Sequence, residues 1–234
     1  MEVSMYKEKK IAALIPARKG SKGIPNKNII DLNGHPLIAY SIMEAKKSQF
    51  IDKVIVSTDS EEIAAVARNY GAEVKGMRPD EYSNDTAIIY DVMKYEIGNH
   101  QLVEMDYEII VLLQPTSPLR KSEMIDNALI RFVDESQSSA VAVSEVKEHP
   151  ILMRTIDENG VLHNVLNIES TVRRQEMPKY YKVNGLLYIN KIKDVVNHFV
   201  SFNDNFSPII IQEEYNVDID DRSDLEEARR RLEK

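Results

Sequence analysis

One stretch of the chain, I-P-A-R-K-G-S-K-G-I-P-N-K-N (15–28), holds Arg18, Lys19, Lys22 and Lys27 and not a single acid. It does so in a chain whose 30 Lys+Arg against 38 Asp+Glu leave a formal net charge of −8. Gly20 and Gly23 allow the backbone to come close to a ligand. Backbone N–H groups and cations in such a loop can wrap a polyphosphate. The loop is not a Walker A motif, because Pro25 stands five residues after Gly20 and no Gly-Lys-Ser/Thr follows; the G-x-G-x-x-G dinucleotide pattern is absent too. Far along the chain Asp218 and Asp220 stand at i and i+2, so an extended backbone places both carboxylates on one face. Two hard oxygen ligands on one side suit Mg²⁺, which takes one or two carboxylates together with substrate phosphate.

Other groups have both a chemical and a structural use. Gln114 begins Q-P-T-S-P-L-R (114–120), where the prolines fix a turn. Its amide donates and accepts, which fits reading a substrate, while Ser117 or Ser122 offers a cap for the next helix. Arg120 either serves the site or pairs with an acid. Asp85 suits a ligand contact or the cap of a helix starting near Thr86, and Asp59 sits within a possible Thr58/Glu61 capping box. In R-R-Q-E-M-P-K-Y-Y-K-V-N-G (173–185), cations beside an aromatic pair suit a carboxylate next to an apolar group; Tyr180 and Tyr181 equally suit packing. The histidines (35, 100, 149, 163, 198) show no metal spacing.

The elements that must hold these groups are read from periodicity. Residues 11–17, 53–57 and 109–113 are compact, β-branched and apolar, the pattern of strands buried on both faces of a parallel sheet. Helices are expected near 37–48, 61–70 and 87–97; Ile63, Val66 and Ala67 share a face, and Gly71 ends the second helix. This rhythm predicts an α/β fold: right-handed βαβ units in a doubly wound, mostly parallel sheet. The first loop then lies at the carboxyl edge, where such sheets bind ligands. Ser139 to Val146, 184–190 and 208–211 read as further strands, and D-E-N-G within 152–165 as a hairpin. The final helix is expected from Ser223 with Glu226 completing a capping box. The rhythm lapses over about 145–182, so the expectation is one domain, 1–234, with an insertion there.

Composition narrows the class. There is no cysteine, which removes disulfides, thiolate nucleophiles and Cys-zinc sites. The acidic balance argues against nucleic acid as partner. A polar start, M-E-V-S-M-Y-K-E-K-K, lacks a signal peptide's apolar core, and no run approaches the ~20 apolar residues of a membrane span. The expected location is cytoplasmic, with no membrane partner.

Several motifs recur here in one order: the first loop, V-S-T-D-S (56–60), M-R-P-D-E-Y-S-N-D-T-A (77–87), L-L-Q-P-T-S-P-L-R (112–120) and Y-N-V-D-I-D (215–220). Together they closely resemble the acylneuraminate cytidylyltransferases, the CMP-sialic acid synthetase family, over nearly the whole chain. The resemblance implies a Rossmann-like nucleotidyltransferase joining a nine-carbon 2-keto sugar acid to CMP, with CTP consumed and pyrophosphate released. It implies that Arg18, Ser21, Lys22, Lys27 and Asn28 hold the CTP phosphates and nucleoside. By the same resemblance the loop of Arg78 and Asp85 wraps cytosine and ribose, and Gln114, Arg174, Gln175 and Tyr181 serve the sugar. Asp218 and Asp220 carry Mg²⁺, with Arg18, Lys22, Lys27 and Asp220 assisting catalysis and no side chain declaring itself the general base. A homodimer built through the insertion is also implied. Relatives often carry a Lys just after the His-Pro that matches His149-Pro150, whereas here Ile151, Leu152 and Met153 follow and Arg154 is the first cation. The related cytidylyltransferases for the eight-carbon acid Kdo open with Arg-Leu-Pro-Gly-Lys where this chain has Gly-Ile-Pro-Asn-Lys, and rank below. The alternative outside catalysis is a nucleotide-binding protein that kept the fold.

Overall fold

The computed structural model describes residues 8–21, 23–166, 178–197 and 207–233. In chain order the strands are β1 (Lys10–Pro16), β2 (Asp31–Leu32), β3 (His35–Pro36), β4 (Lys53–Ser57), β5 (Tyr107–Leu112), β6 (Ser139–Glu145), β7 (Arg154–Ile156), β8 (Leu162–Asn164), β9 (Tyr181–Lys191) and β10 (Ser207–Ile210). The helices are α1 (Leu37–Lys47), α2 (Glu61–Asn69), α3 (Ile89–Asn99), α4 (Ser122–Asp134), α5 (Ile192–Asn197) and α6 (Arg222–Leu232).

The main sheet runs β10-β6-β9-β5-β1-β4. Its neighbours pair in parallel except around β9, which is antiparallel to both β5 and β6. From β1 the chain goes to β4 on one side and then crosses to β5 on the other. The carboxyl ends of β1 and β5 therefore flank a topological switch point, the usual binding crevice of open α/β sheets. Alternation along β1 shows why the apolar run is needed on both faces. Ile11, Ala13 and Ile15 join one core cluster with Ile38, Ile42, Ile63, Ile125 and Phe132 of α1, α2 and α4. Ala12 and Leu14 join another with Tyr90, Met93, Ile97, Ile192 and Val195 of α3 and α5. A third cluster, with Ile24, Leu32, Leu37, Leu119, Ile219 and Leu225, fastens the first loop, the β2–β3 hairpin and α6 together.

Between β6 and β9 the chain leaves the sheet. β7 and β8 form a separate antiparallel hairpin. At its turn the Asp157 carboxylate accepts from the N–H groups of Asn159 and Val161, both at 2.9 Å, and Gly160 takes a φ of 80°. Leu152, Ile156 and Leu162 are 69%, 70% and 64% exposed, so this arm offers an apolar surface. Among the described residues no helix is long and apolar enough to cross a membrane.

Three expected caps are made by other residues. α6 is capped by Asp221, whose side chain accepts from Ser223 and Asp224 N–H groups while Asp224 answers as the third helical residue, two positions before the expected Ser223/Glu226 box. α2 is capped by Ser60 rather than by Thr58 with Glu61. α4 lacks a side-chain cap of its own; Glu44 of α1 accepts from Ser122 N–H at 2.8 Å, so neither serine is needed.

Candidate active site

The first loop is held from three sides. Asp59, just past β4, accepts from Lys19 N–H at 2.7 Å. Asn28, itself buried, donates its amide to Arg18 O at 2.9 Å. Ile24 is anchored in the third core cluster. The loop then meets the segment before α6: Lys27 donates to Ile219 O at 2.6 Å and pairs with the Asp220 carboxylate at 3.2 Å. Gly23 packs so tightly there that a Cβ would lie 2.1 Å from Asp220 O.

A second loop faces it. Arg78 hangs from β4 through its N–H, which donates to Thr58 O at 2.7 Å, and its buried guanidinium donates to Ser83 Oγ at 3.2 Å. Burial pulls the Arg78 pKa down and nearby Arg18 adds to this, while Asp59 and Glu96 oppose it. Arg18 bridges the two loops in a 2.8 Å ion pair with Asp85. That pairing corrects the capping expectation for Asp85, since α3 starts at Ile89. Tyr82 stacks on Tyr95 at 5.0 Å and backs the loop against α3.

Arg18, Ser21, Lys27, Asn28, Arg78, Asp85, Gln114 and Asp220 thus line one cleft of about 460 Å³ at the switch point. Its cations, loop N–H groups and neighbouring carboxylate can hold a polyphosphate and its counter-cation. Buried Ile219 stands between two exposed acids, the alternation that puts Asp218 and Asp220 on one face of an extended segment; Asp218 also lines a second, polar recess of about 240 Å³ with Lys182, Asn184, Asp224, Glu227 and Arg231. The 218–220 segment is the wall between the two. Desolvation pushes the Asp218 carboxyl above its ordinary range; the Thr116 hydroxyl and Lys27 oppose this, and the Asp220 and Asp224 carboxylates add to it. Such mutual repulsion is what a divalent cation relieves, so the donor set fits Mg²⁺. Among the described residues no cluster of three acids or histidines could hold a metal by itself, so phosphate oxygens would have to complete the shell.

Tyr181 is half exposed at the leading end of β9, opposite Glu145, and lines neither recess. Its neighbours Lys182 and Asn184 line the second recess. Lys22, Arg174 and Gln175 lie outside the described residues. Asn184 is a recess residue that the sequence does not single out as a binding group. Its Oδ1 accepts from Leu186 N–H at 3.2 Å, while its buried Nδ2 has no partner among the described residues. The N-G pair at 184–185 is the one local signal for its place in the recess, and for Arg231 on α6 the sequence offers none. Asp59 read most simply as a helix-start residue, yet it ties down the first loop.

The fold and cleft define a doubly wound α/β protein with a cation-lined site at its switch point. The chain belongs to the cytidylyltransferase family, whose model matches residues 12–230. It is 34% identical over 214 residues to an N-acylneuraminate cytidylyltransferase of Streptococcus agalactiae serotype V, covering 91% of this chain and 51% of that protein. It is also 34% identical to the CMP-N,N'-diacetyllegionaminic acid synthase of Legionella pneumophila, covering 90% of this chain and 91% of that one. The chain therefore spans about half the length of the Streptococcus relative. A solved CMP:2-keto-3-deoxy-manno-octonic acid synthetase complexed with CTP shares the fold, with a TM-score of 0.69 at 16% identity over 96% of this chain and 98% of that one.

Proposed function

We propose that the protein transfers a cytidylyl group from CTP to the anomeric C2 hydroxyl of a nine-carbon 2-keto sugar acid, of the sialic, legionaminic or pseudaminic type, releasing pyrophosphate. The bond formed joins the sugar oxygen to the α-phosphorus. The bond broken frees pyrophosphate, and the hydroxyl proton leaves to base or solvent. The observation that carries this reading is the joining of the first loop to Asp220 through Lys27 and Gly23, which puts the loop's cations beside a carboxylate at the switch point.

In this reading Arg18, Ser21, Lys22 and Lys27 hold the triphosphate and offset charge gathering on the leaving pyrophosphate. Asn28 keeps the loop shaped for that task, and Arg78 and Asp85 enclose the nucleoside. Asp218 and Asp220 would hold Mg²⁺, which when bound neutralises phosphate charge and fixes its orientation. The sugar acid lies toward Gln114 and the second recess. There Lys182 suits its carboxylate, and the Asn184 Nδ2, unpartnered among the described residues, suits a hydroxyl or acyl oxygen. Arg174 and Gln175, outside the described residues, are assigned to the sugar by the resemblance alone. The apolar arm around Leu152, Ile156 and Leu162 supports a homodimer, since an exposed patch of this kind marks an interface.

Pyrophosphate release from CTP and Mg²⁺, measured across sialic, legionaminic and pseudaminic acids and Kdo, tests the reading. Turnover with one nine-carbon acid supports it and names the sugar. Turnover with Kdo alone moves the assignment to the eight-carbon acid, and none at all with CTP still bound favours a binding protein. Sedimentation of wild type against Ile156→Asp tests the dimer.

A further inference from the structure

Arg120 heads the fully buried side chains by volume and is 1% exposed. Among the described residues it makes no ion pair. Its Nε donates to Leu186 O at 2.5 Å, Nη1 to Ser41 Oγ at 2.8 Å and Nη2 to Gln114 O at 2.8 Å. All three acceptors are neutral. Burial lowers its pKa to about 9, with Glu44 and Asp218 opposing from farther off. A buried cation without a carboxylate is an expensive way to fill a core. What a guanidinium offers in return is a planar fork of donors in fixed directions, which neither lysine nor an apolar side chain reproduces.

The fork joins three elements that converge on Gln114: α1 through Ser41, β9 through Leu186, and the turn after β5 through Gln114 itself. Gln114 is held further by its N–H, which donates to Gly185 O at 3.3 Å, and by Ser41 Oγ, which donates to Gln114 O at 3.4 Å. Its side chain lies on the bare face of Gly185, where a Cβ would come within 2.2 Å of Oε1 and 2.8 Å of Cδ. The amide itself makes no hydrogen bond among the described residues and lines the cleft.

We propose that Arg120 is a positioning residue: by gripping the backbone carbonyls of Gln114 and Leu186 in one planar fork, it sets the spacing between the turn after β5 and β9 and so aims the Gln114 amide at the acceptor sugar acid. The proposal rests on the reading of Gln114 as a sugar contact. It predicts a selective effect, because the fork does not touch the first loop or the Arg78 loop that serve the nucleotide.

The test compares Arg120→Lys, Ser41→Ala and Gln114→Ala, each checked for native folding, by the KM of the sugar acid found above and the KM of CTP. Arg120→Lys should raise the sugar-acid KM about tenfold or more, the scale of a charge-assisted hydrogen bond, and leave the CTP KM within about threefold. Ser41→Ala, which keeps the arginine and removes one acceptor, should shift the same constant less; it decides alone if Arg120→Lys does not fold. The double variant Arg120→Lys/Gln114→Ala should bind the sugar acid no worse than Gln114→Ala, since no amide is left to aim. If Gln114→Ala raises the sugar-acid KM while Arg120→Lys and Ser41→Ala do not, Arg120 is only a core residue and the reading of Gln114 stands. A parallel rise in both KM values overturns the proposal as general loosening. An unchanged sugar-acid KM in Gln114→Ala overturns the role of Gln114 and the proposal with it.

Discussion

Gly23→Ala puts the junction between the first loop and the acidic segment under direct strain. The added methyl would sit 2.1 Å from the main-chain oxygen of Asp220 and 3.3 Å from its carbonyl carbon, whereas ordinary contact begins near 3.4 Å. The clash is with backbone, so no rotamer relieves it and the two segments must part by more than about 1 Å. Lys27 spans that same gap, at 2.6 Å to Ile219 O and 3.2 Å to the Asp220 carboxylate, and loses both bonds if the gap opens. A 1 Å misplacement of reacting groups costs about a hundredfold in rate, or about 2.7 kcal/mol of barrier. Initial rates of pyrophosphate release should therefore show kcat/KM for CTP down about a hundredfold in Gly23→Ala. Gly98→Ala on α3 is the internal control, because a Cβ there meets nothing within 4 Å and Gly98 does not line the cleft, and it should behave as wild type. Wild-type kcat/KM in Gly23→Ala, or an equal loss in Gly98→Ala, would refute the reasoning.

Asp220→Asn should lower turnover at least about a hundredfold without unfolding the protein; undiminished turnover at saturating Mg²⁺ contradicts the metal assignment. Lys27→Met keeps the stem and removes the charge, so the CTP KM should rise about tenfold or more while the sugar-acid KM stays put; equal shifts count against the assignment. At Glu73 desolvation pushes the carboxyl upward, but hydrogen bonds and charge from Lys53 and His100 outweigh it and hold the pKa below 4.5. A depressed folded pKa stabilises the native state above 4.5, and that stability is lost as pH falls through the lower folded value. Glu73→Gln should thus lower Tm at neutral pH, with the gap closing in acid; a pH-independent gap counts against the ion pairs.

Much of the scaffold is legible because its signals are local. The apolar runs behind β1, β4 and β5 need both faces buried, and Gly71, at a φ of 84°, ends α2 as its sequence position suggests. The direction of β9 is not legible. An apolar strand reads alike both ways, and only its neighbours β5 and β6 make it antiparallel. The caps fail for a related reason. D-I-D-D-R-S-D offers several acids, and the choice of Asp221 depends on the extended backbone that delivers it to α6. Asp85 is taken by Arg18 and Ser122 N–H by Glu44, partners 67 and 78 residues distant in sequence. In the site, the first loop's charge concentration carries its own message. The placements of Asn184, Arg231 and Arg120 exist only once β9, α6 and the turn after β5 are folded together.

The central claim is cytidylyl transfer, and the most direct measurement follows the α-phosphate. The purified chain would be given CTP labelled there, Mg²⁺ and the panel of nine-carbon sugar acids. The account predicts that the label appears in a CMP-sugar in equal amount to the pyrophosphate released, and that chelating the metal stops both. Labelled CTP that binds but stays intact with every acid, with or without metal, would contradict it.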